Sequence, residues 1–326
     1  MQFRPLGRSG LATAPLVFGG NVLGWTADEA TSFRLLDAFV DGGFNMIDTA
    51  DVYSRWASGH SGGESETVIG KWLHASGKRH RVLVATKVGK PMGEEGSGRS
   101  GLSRRWIRQA VEDSLRRLQT DHIDLYQSHE DDPAVPLEET LGAYAELMRE
   151  GKLRAIGLSN EHPWGVMEFT RLADELGLPR VLCTQNAYSL LNRTFETALA
   201  EVCHREQVGL LAYSPLAFGH LTGKYLADPA APGRITRWPA FGQRYGKPNV
   251  LPAVNAYAAL AKKHGLTPTQ LALGFVRSRW FVSSTIIGAS SLAQLQETLP
   301  ATRTPIAPEV LGEIDAIHLR YTNPAP

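Results

Sequence analysis

Short apolar, β-branched runs recur along the chain, separated by stretches in which apolar residues follow helical spacing. Eight runs read as strands: Pro15–Gly20, Phe44–Asp48, Arg81–Lys87, His122–Ser128, Leu153–Leu158, Val181–Asn186, Val208–Tyr213 and Ser284–Gly288. The stretches between them carry helix start and stop signals. Thr26 and Glu29 have capping-box spacing ahead of Ala30–Asp41, and Gly42-Gly43 stops that helix. Ser103 is placed to cap Arg104–Leu118, where Trp106, Ala110, Val111, Ser114, Leu115 and Leu118 share one face. Pro136 suits the first turn of Leu137–Glu150, Pro163 opens a helix that closes at Gly177, and Asn192 precedes Arg193–Gln207.

Strands alternating with helices predict a parallel sheet, because parallel neighbours need a crossover. Continuously apolar strands fit a sheet buried on both faces. Length alone suggests about two domains. Eight strand–helix units instead predict one domain over residues 1–326, a single (β/α)8 TIM barrel. An open doubly wound sheet is disfavoured, since no GxGxxG opens the first helix. The spacing breaks once. Between Tyr213 and Ser284 lie a Gly/Pro-rich stretch, Leu216–Pro252, and two helical segments, Ala253–His264 and Pro268–Arg279. The first part reads as a long loop over the barrel mouth. Lys90–Ser103 reads either as a mobile flap or as a linker without a role.

Composition narrows the function. The chain has 34 Lys+Arg against 33 Asp+Glu, a net charge of +1, which gives no general attraction to nucleic acid or an anionic membrane. No apolar run approaches a membrane span, and MQFRPLGRSG lacks the core of a secretory signal, so a cytoplasmic protein is expected. Two cysteines, Cys183 and Cys203, are too few for a disulfide framework or a CxxC metal site.

Chemistry in such a barrel sits where strands end. Those ends carry Asp48 followed by Tyr53, then Lys87, His129, Ser159 with Asn160, Gln185, and Tyr213 with Ser214. A lysine in a desolvated site needs a counter-charge, which Asp48 supplies. Beside that ammonium a tyrosine hydroxyl is expected to have its pKa lowered. It can then protonate a developing alkoxide while the histidine orients the carbonyl. Such an assembly needs a hydride source. Ser159, Asn160 and Gln185 suit a carboxamide, and Tyr213 offers a face for a flat ring.

These residues sit in longer motifs: FRPLGRSGL, GGFNMIDTADVY, GESETVIGKWL, LRRLQTDHIDLYQSH, GKLRAIGLSN, QNAYSLLNR, AYSPLAFGHLTGKY and IIGASSLAQLQE. Over about residues 1–300 the chain resembles the aldo-keto reductase superfamily, NAD(P)H-dependent enzymes on a (β/α)8 barrel. It is most similar to the branch with bacterial aldehyde reductases and the β subunits of voltage-gated potassium channels. The resemblance implies Tyr53 as general acid, tuned by Lys87 and Asp48, with His129 on the carbonyl. It implies Ser159, Asn160 and Gln185 on the nicotinamide carboxamide and Tyr213 behind the ring. It assigns Ser214, Leu216, Gly219, Leu221, Gly223 and Lys224 to the pyrophosphate and ribose, and Gly288, Ser290, Gln294 and Glu297 to the adenosine. Many relatives carry a basic residue after the last strand's glycine; here the stretch is GASS. The channel-subunit branch instead uses a loop lysine with an arginine ten residues on, the spacing of Lys224 and Arg234. NADPH is therefore expected in preference to NADH, with a small carbonyl compound or alcohol as substrate.

Other readings remain. A metal-dependent hydrolase needs several converging ligands, and of ten histidines only His129 closes a strand, so no metal is expected. Cys183 reads as a buried inert thiol. Trp25, Trp56 and Tyr188 are candidates for an aromatic substrate pocket or for ordinary packing. The tail Arg320–Pro326 is too short for the long specificity loop of many relatives, which implies an open pocket. The alternative to an enzyme is a slow-turnover, NADPH-binding regulatory or redox-sensing subunit. A homo-oligomer is compatible with either.

Overall fold

The computed structural model describes residues 2–94 and 96–325; Glu95, inside the 90–103 segment, and Pro326, at the end of the tail, lie outside the described residues. A short antiparallel hairpin, β1 (Arg4–Pro5) and β2 (Ala12–Thr13), comes first. Eight parallel strands then close into a barrel in chain order: β3 (Leu16–Gly19), β4 (Met46–Asp48), β5 (Leu83–Val88), β6 (Leu125–Ser128), β7 (Ile156–Ser159), β8 (Cys183–Ala187), β9 (Gly209–Tyr213) and β10 (Val282–Ile287), with β10 pairing back onto β3. The predicted (β/α)8 TIM barrel is the observed fold.

Side-chain alternation along these strands builds the site from below. Val17, Met46, Ala85, Leu125, Cys183 and Leu211 point into the barrel and pack with Leu6 and Leu11 of the hairpin as a small inner core. A strand returns to the same face every second residue. The next inward layer is therefore Asp48, Lys87, Gln127, Gln185 and Tyr213, each two positions further on. An apolar plug thus supports a polar layer. Gly157 on β7 makes room at that level: a Cβ there would come within 2.7 Å of Cys183 Sγ. The larger core lies outside the barrel, between strands and helices, and includes Phe18, Phe39, Trp72, Tyr126, Tyr144 and Phe275.

The surrounding helices are α1 (Glu29–Asp41), α2 (Glu64–Ser76), α3 (Arg104–Leu118), α4 (Leu137–Arg149), α5 (Pro163–Leu176), α6 (Leu199–Glu206), α7 (Lys224–Ala227), α8 (Arg234–Arg237), α9 (Val250–Lys263), α10 (Pro268–Ser278), α11 (Leu292–Ala301) and α12 (Pro308–Arg320). Several expectations need correction. Asp28, not Thr26, caps α1 by accepting from Thr31 N at 2.8 Å, while the Thr26 hydroxyl donates to Val22 O. Asn192 does not cap a helix: its Oδ1 accepts from Thr194 N at 3.1 Å ahead of a 3-10 turn, Thr194–Glu196, whose N-cap position is Arg193, and α6 starts separately after it. Leu216–Pro252 is not a loop in the ordinary sense. It folds into 3-10 turns (Ala217–Thr222 and Pro239–Tyr245), α7, α8 and the start of α9. The described part of the C-terminal tail is tied to the segment after β8, with Asn323 Oδ1 accepting from Arg193 N at 2.7 Å and Ala325 N donating to Leu191 O. Among the described residues no helix is long and apolar enough to cross a membrane, and no group of three or more His, Cys, Asp or Glu could hold a metal ion.

Candidate active site

At the C-terminal end of the barrel, Lys87 on β5 and Asp48 on β4 are fully buried. The Lys87 ammonium donates to Asp48 Oδ2 and to the Thr49 carbonyl, each at 2.7 Å, and to Tyr53 Oη at 3.0 Å. All three of its donors are thereby satisfied. Asp48 Oδ1 accepts from Gln185 Nε2 at 2.8 Å and from Gln127 Nε2 at 3.4 Å. Tyr53 lies on the turn after β4, held because Ser54, in the left-handed region, donates its hydroxyl to Leu23 O at 2.8 Å. His129 follows β6 directly, its ring edge-on to Tyr53 with centroids 5.8 Å apart.

Burial and charge act in opposite directions here. Burial pushes the Tyr53 hydroxyl above its ordinary value; Lys87 pulls it down, but not enough to reverse the sign. The expected lowering is corrected accordingly: desolvation outweighs the ammonium. Burial opposes the charge on Lys87, yet Asp48 and Tyr53 together hold its pKa above the ordinary lysine value. Burial drives His129 well below the usual imidazole range, with Lys87 and Lys90 adding to the effect. The floor thus offers a protonated phenol, a charged lysine and a neutral imidazole. Among the described residues the buried His129 Nδ1 has no hydrogen-bond partner.

Above this floor opens a cavity of about 900 Å³, within the range of small-molecule and cofactor sites. Asn160 joins two walls: its Nδ2 donates to His129 O at 2.9 Å and its Oδ1 accepts from the Tyr213 hydroxyl at 2.8 Å. Ser159 donates to the Gln185 carbonyl at 2.9 Å. Ser214, Leu216 and Gly219 line the cavity. Left-handed φ values at Ser214 and then at Ala217–Gly219 turn the chain sharply there, a geometry suited to presenting amides to an anion. Gly288, Ser290, Gln294 and Glu297 line the opposite end, where Ser290 N and Oγ both donate to Gln294 Oε1.

Some predicted residues lie elsewhere. Leu221 is in the helical core and Gly223, at φ +80°, backs onto Pro268; neither lines the cavity. Trp56 lines it, whereas Trp25 stands behind, 5.5 Å from Trp56 and 4.4 Å from Trp238 between ring centres. Tyr188 is fully buried outside the barrel, stacked on Phe275 with its hydroxyl on Glu196. Strand parity explains this: Gln185 and Ala187 share the inward face, so position 188 points out.

Sequence reasoning missed Trp238, Phe218, Arg237 and Arg244, all in the cavity wall. Basic and aromatic residues alternate from Arg234 to Arg244, the one signal that a plain loop would not carry. Lys224 donates to Pro232 O at 3.1 Å and lies close enough to Arg237 to be affected by its charge. Arg234 takes a different place, over the Phe218 ring at 4.9 Å and donating to Asn21 Oδ1 at 3.3 Å. Among the described residues none of Lys224, Arg234, Arg237 and Arg244 has a carboxylate in ion-pair contact.

A model of the aldo/keto reductase family matches residues 15–319. The chain is 42% identical to the Tas protein of Escherichia coli K12, with all of both chains covered. It is 34% identical to the uncharacterized oxidoreductase YrpG of Bacillus subtilis, over 97% of this chain and 96% of that one. A putative voltage-gated potassium channel β subunit of Schizosaccharomyces pombe is 33% identical over 99% of this chain and 94% of its own length.

Proposed function

This chain belongs to the aldo/keto reductase family, and we propose that it is an NADPH-dependent reductase of aldehydes or ketones, reversible toward alcohol oxidation. The observation that carries the reading is the buried Asp48–Lys87–Tyr53 chain of hydrogen bonds facing His129 at the floor of the large cavity. The cavity fits the cofactor. It has the volume, a left-handed backbone turn, and four cations without carboxylate partners, matching a dinucleotide with a diphosphate and a further phosphate.

When bound, the cofactor supplies the hydride for the carbonyl carbon. Tyr53 gives its proton to the carbonyl oxygen, which its raised pKa allows across the neutral range. Lys87 stabilises the charge left on the phenol and Asp48 keeps Lys87 in place. His129, neutral, donates a hydrogen bond to the same oxygen. Ser159, Asn160 and Gln185 would hold the carboxamide; Gln185 has committed its side-chain nitrogen to Asp48 and its backbone carbonyl to Ser159, which leaves its side-chain oxygen for the cofactor. Tyr213 would back the ring. Lys224, with Arg237 close by, favours NADPH over NADH; Arg234, over the Phe218 ring, stands apart from that pair.

Tyr53→Phe is expected to lower kcat by about 10²–10⁴-fold with NADPH affinity within about twofold of the wild type. Wild-type turnover in that variant would remove Tyr53 as the acid. The likeness to a channel subunit motivates a second reading, a slow-turnover cofactor-binding subunit. Turnover limited to the one bound cofactor would favour it.

A further inference from the structure

The catalytic end of the cavity carries a charge pair that the proton-transfer chain does not use. Glu130 follows His129 directly, and its carboxylate pairs with the Lys90 ammonium; both side chains line the cavity and stay partly exposed. Lys90 is held at the rim by its neighbours. Arg55 donates to Pro91 O at 2.7 Å and to Gly93 O at 3.0 Å, fixing the chain just after it. The other acids of the wall are spoken for or distant: Asp48 is consumed by Lys87, and Glu297 accepts from Thr269 beside the adenosine residues. Arg234 and Arg244, which have no carboxylate partner among the described residues, add positive charge to the cavity as a whole.

A half-exposed ion pair is weak and readily exchanged. The geometry points to Lys90 as the anchor for a carboxylate on the substrate, with Glu130 occupying that place until the substrate arrives. The preferred substrate is therefore a carbonyl compound with a carboxylate remote from its carbonyl, the carbonyl oxygen on Tyr53 and the acid on Lys90. This inference rests on the reductase reading and names the substrate class for it.

The test compares kcat/KM for 4-carboxybenzaldehyde and its neutral methyl ester, with NADPH saturating. The acid is expected to be favoured by about tenfold in the wild type, the size of one charge-assisted contact. Added salt shrinks the ratio. Lys90→Met brings it to about one. Glu130→Gln moves it the other way, up by about threefold or more, because the competing carboxylate is gone. The inference fails if the wild type treats the two alike, if Lys90→Met leaves the ratio unchanged, or if Glu130→Gln lowers it. Ester reduced well without preference for the acid overturns the anchor alone; no turnover with either aldehyde overturns the reductase reading and the anchor with it.

Discussion

Two walls of the same cavity are built by opposite means. The floor consists of strand ends: its charges are fully buried, and each of Lys87 and Asp48 is answered by several hydrogen bonds at 2.7–3.4 Å. The roof, residues 214–245, consists of short helical turns held by aromatic contacts, with Trp238 against Trp25 and Phe218 against Tyr245. Among the described residues its cations have no carboxylate partner. A wall that is complete in itself is preorganised for chemistry, whereas a wall left with open charge is completed by what binds. Floor variants should therefore damage catalysis and stability together, and roof variants should change what is bound.

Lys87→Met carries the largest expected effect. It leaves Asp48 buried and unpaired, costing about 3–5 kcal/mol of stability, and removes the support of the acid, lowering kcat by about 10²-fold or more. A normal melting temperature in a purified Lys87→Met protein would break the contrast. Lys224→Ala should leave stability nearly unchanged and weaken NADPH by about tenfold, with NADH affected far less in a binding titration. Equal losses would place Lys224 on the diphosphate.

The pH profile sharpens the floor. If Tyr53 is the acid, as proposed, reduction needs it protonated; with its pKa held above the ordinary value by burial, reductive kcat/KM should stay flat through neutrality and fall only in strongly alkaline solution. His129, held neutral well below its usual range, adds no inflection between pH 6 and 8. An inflection near 6.5 would assign a charged His129 to the mechanism.

The smallest effect concerns Asp51, three residues beyond Asp48 but on the outer side of the barrel wall. Among the described residues neither of its buried oxygens has a side-chain partner, Glu66 lies close by, and burial raises its pKa well above the carboxylate range. The folded state thus holds a proton that the unfolded chain loses above about pH 4, so stability declines as pH rises from there. Asp51→Asn removes that loss. It should raise the melting temperature by about 1–3 °C at pH 8 and by less at pH 4.5; a gain independent of pH would contradict the proton on Asp51.

The same contrast explains what could be read from the sequence. The strands stand out as short continuous apolar runs with polar residues at their ends, so the eight strands and the grouping of Asp48, Lys87, Gln185 and Tyr213 at one rim were legible from the pattern alone. Tyr188 failed by parity. The roof has no period: Phe218, Trp238, Arg237 and Arg244 reach the cavity because short 3-10 and α turns fold back over the mouth, which local propensity does not specify. Helix α2 was hidden behind the Gly/Ser-rich stretch 58–63, although Glu64 caps that turn by accepting from Ser61 N and Gly62 N.

The central claim is that this floor moves a hydride onto a carbonyl again and again. The direct measurement is turnover of NADPH deuterated at the transferable C4 position, in excess over enzyme, with an aromatic aldehyde, followed by absorbance and by mass analysis of the alcohol. The account predicts many turnovers per site and one deuterium on the carbinol carbon of every product molecule. Consumption that stops at one cofactor per site, or alcohol without the label, would contradict it.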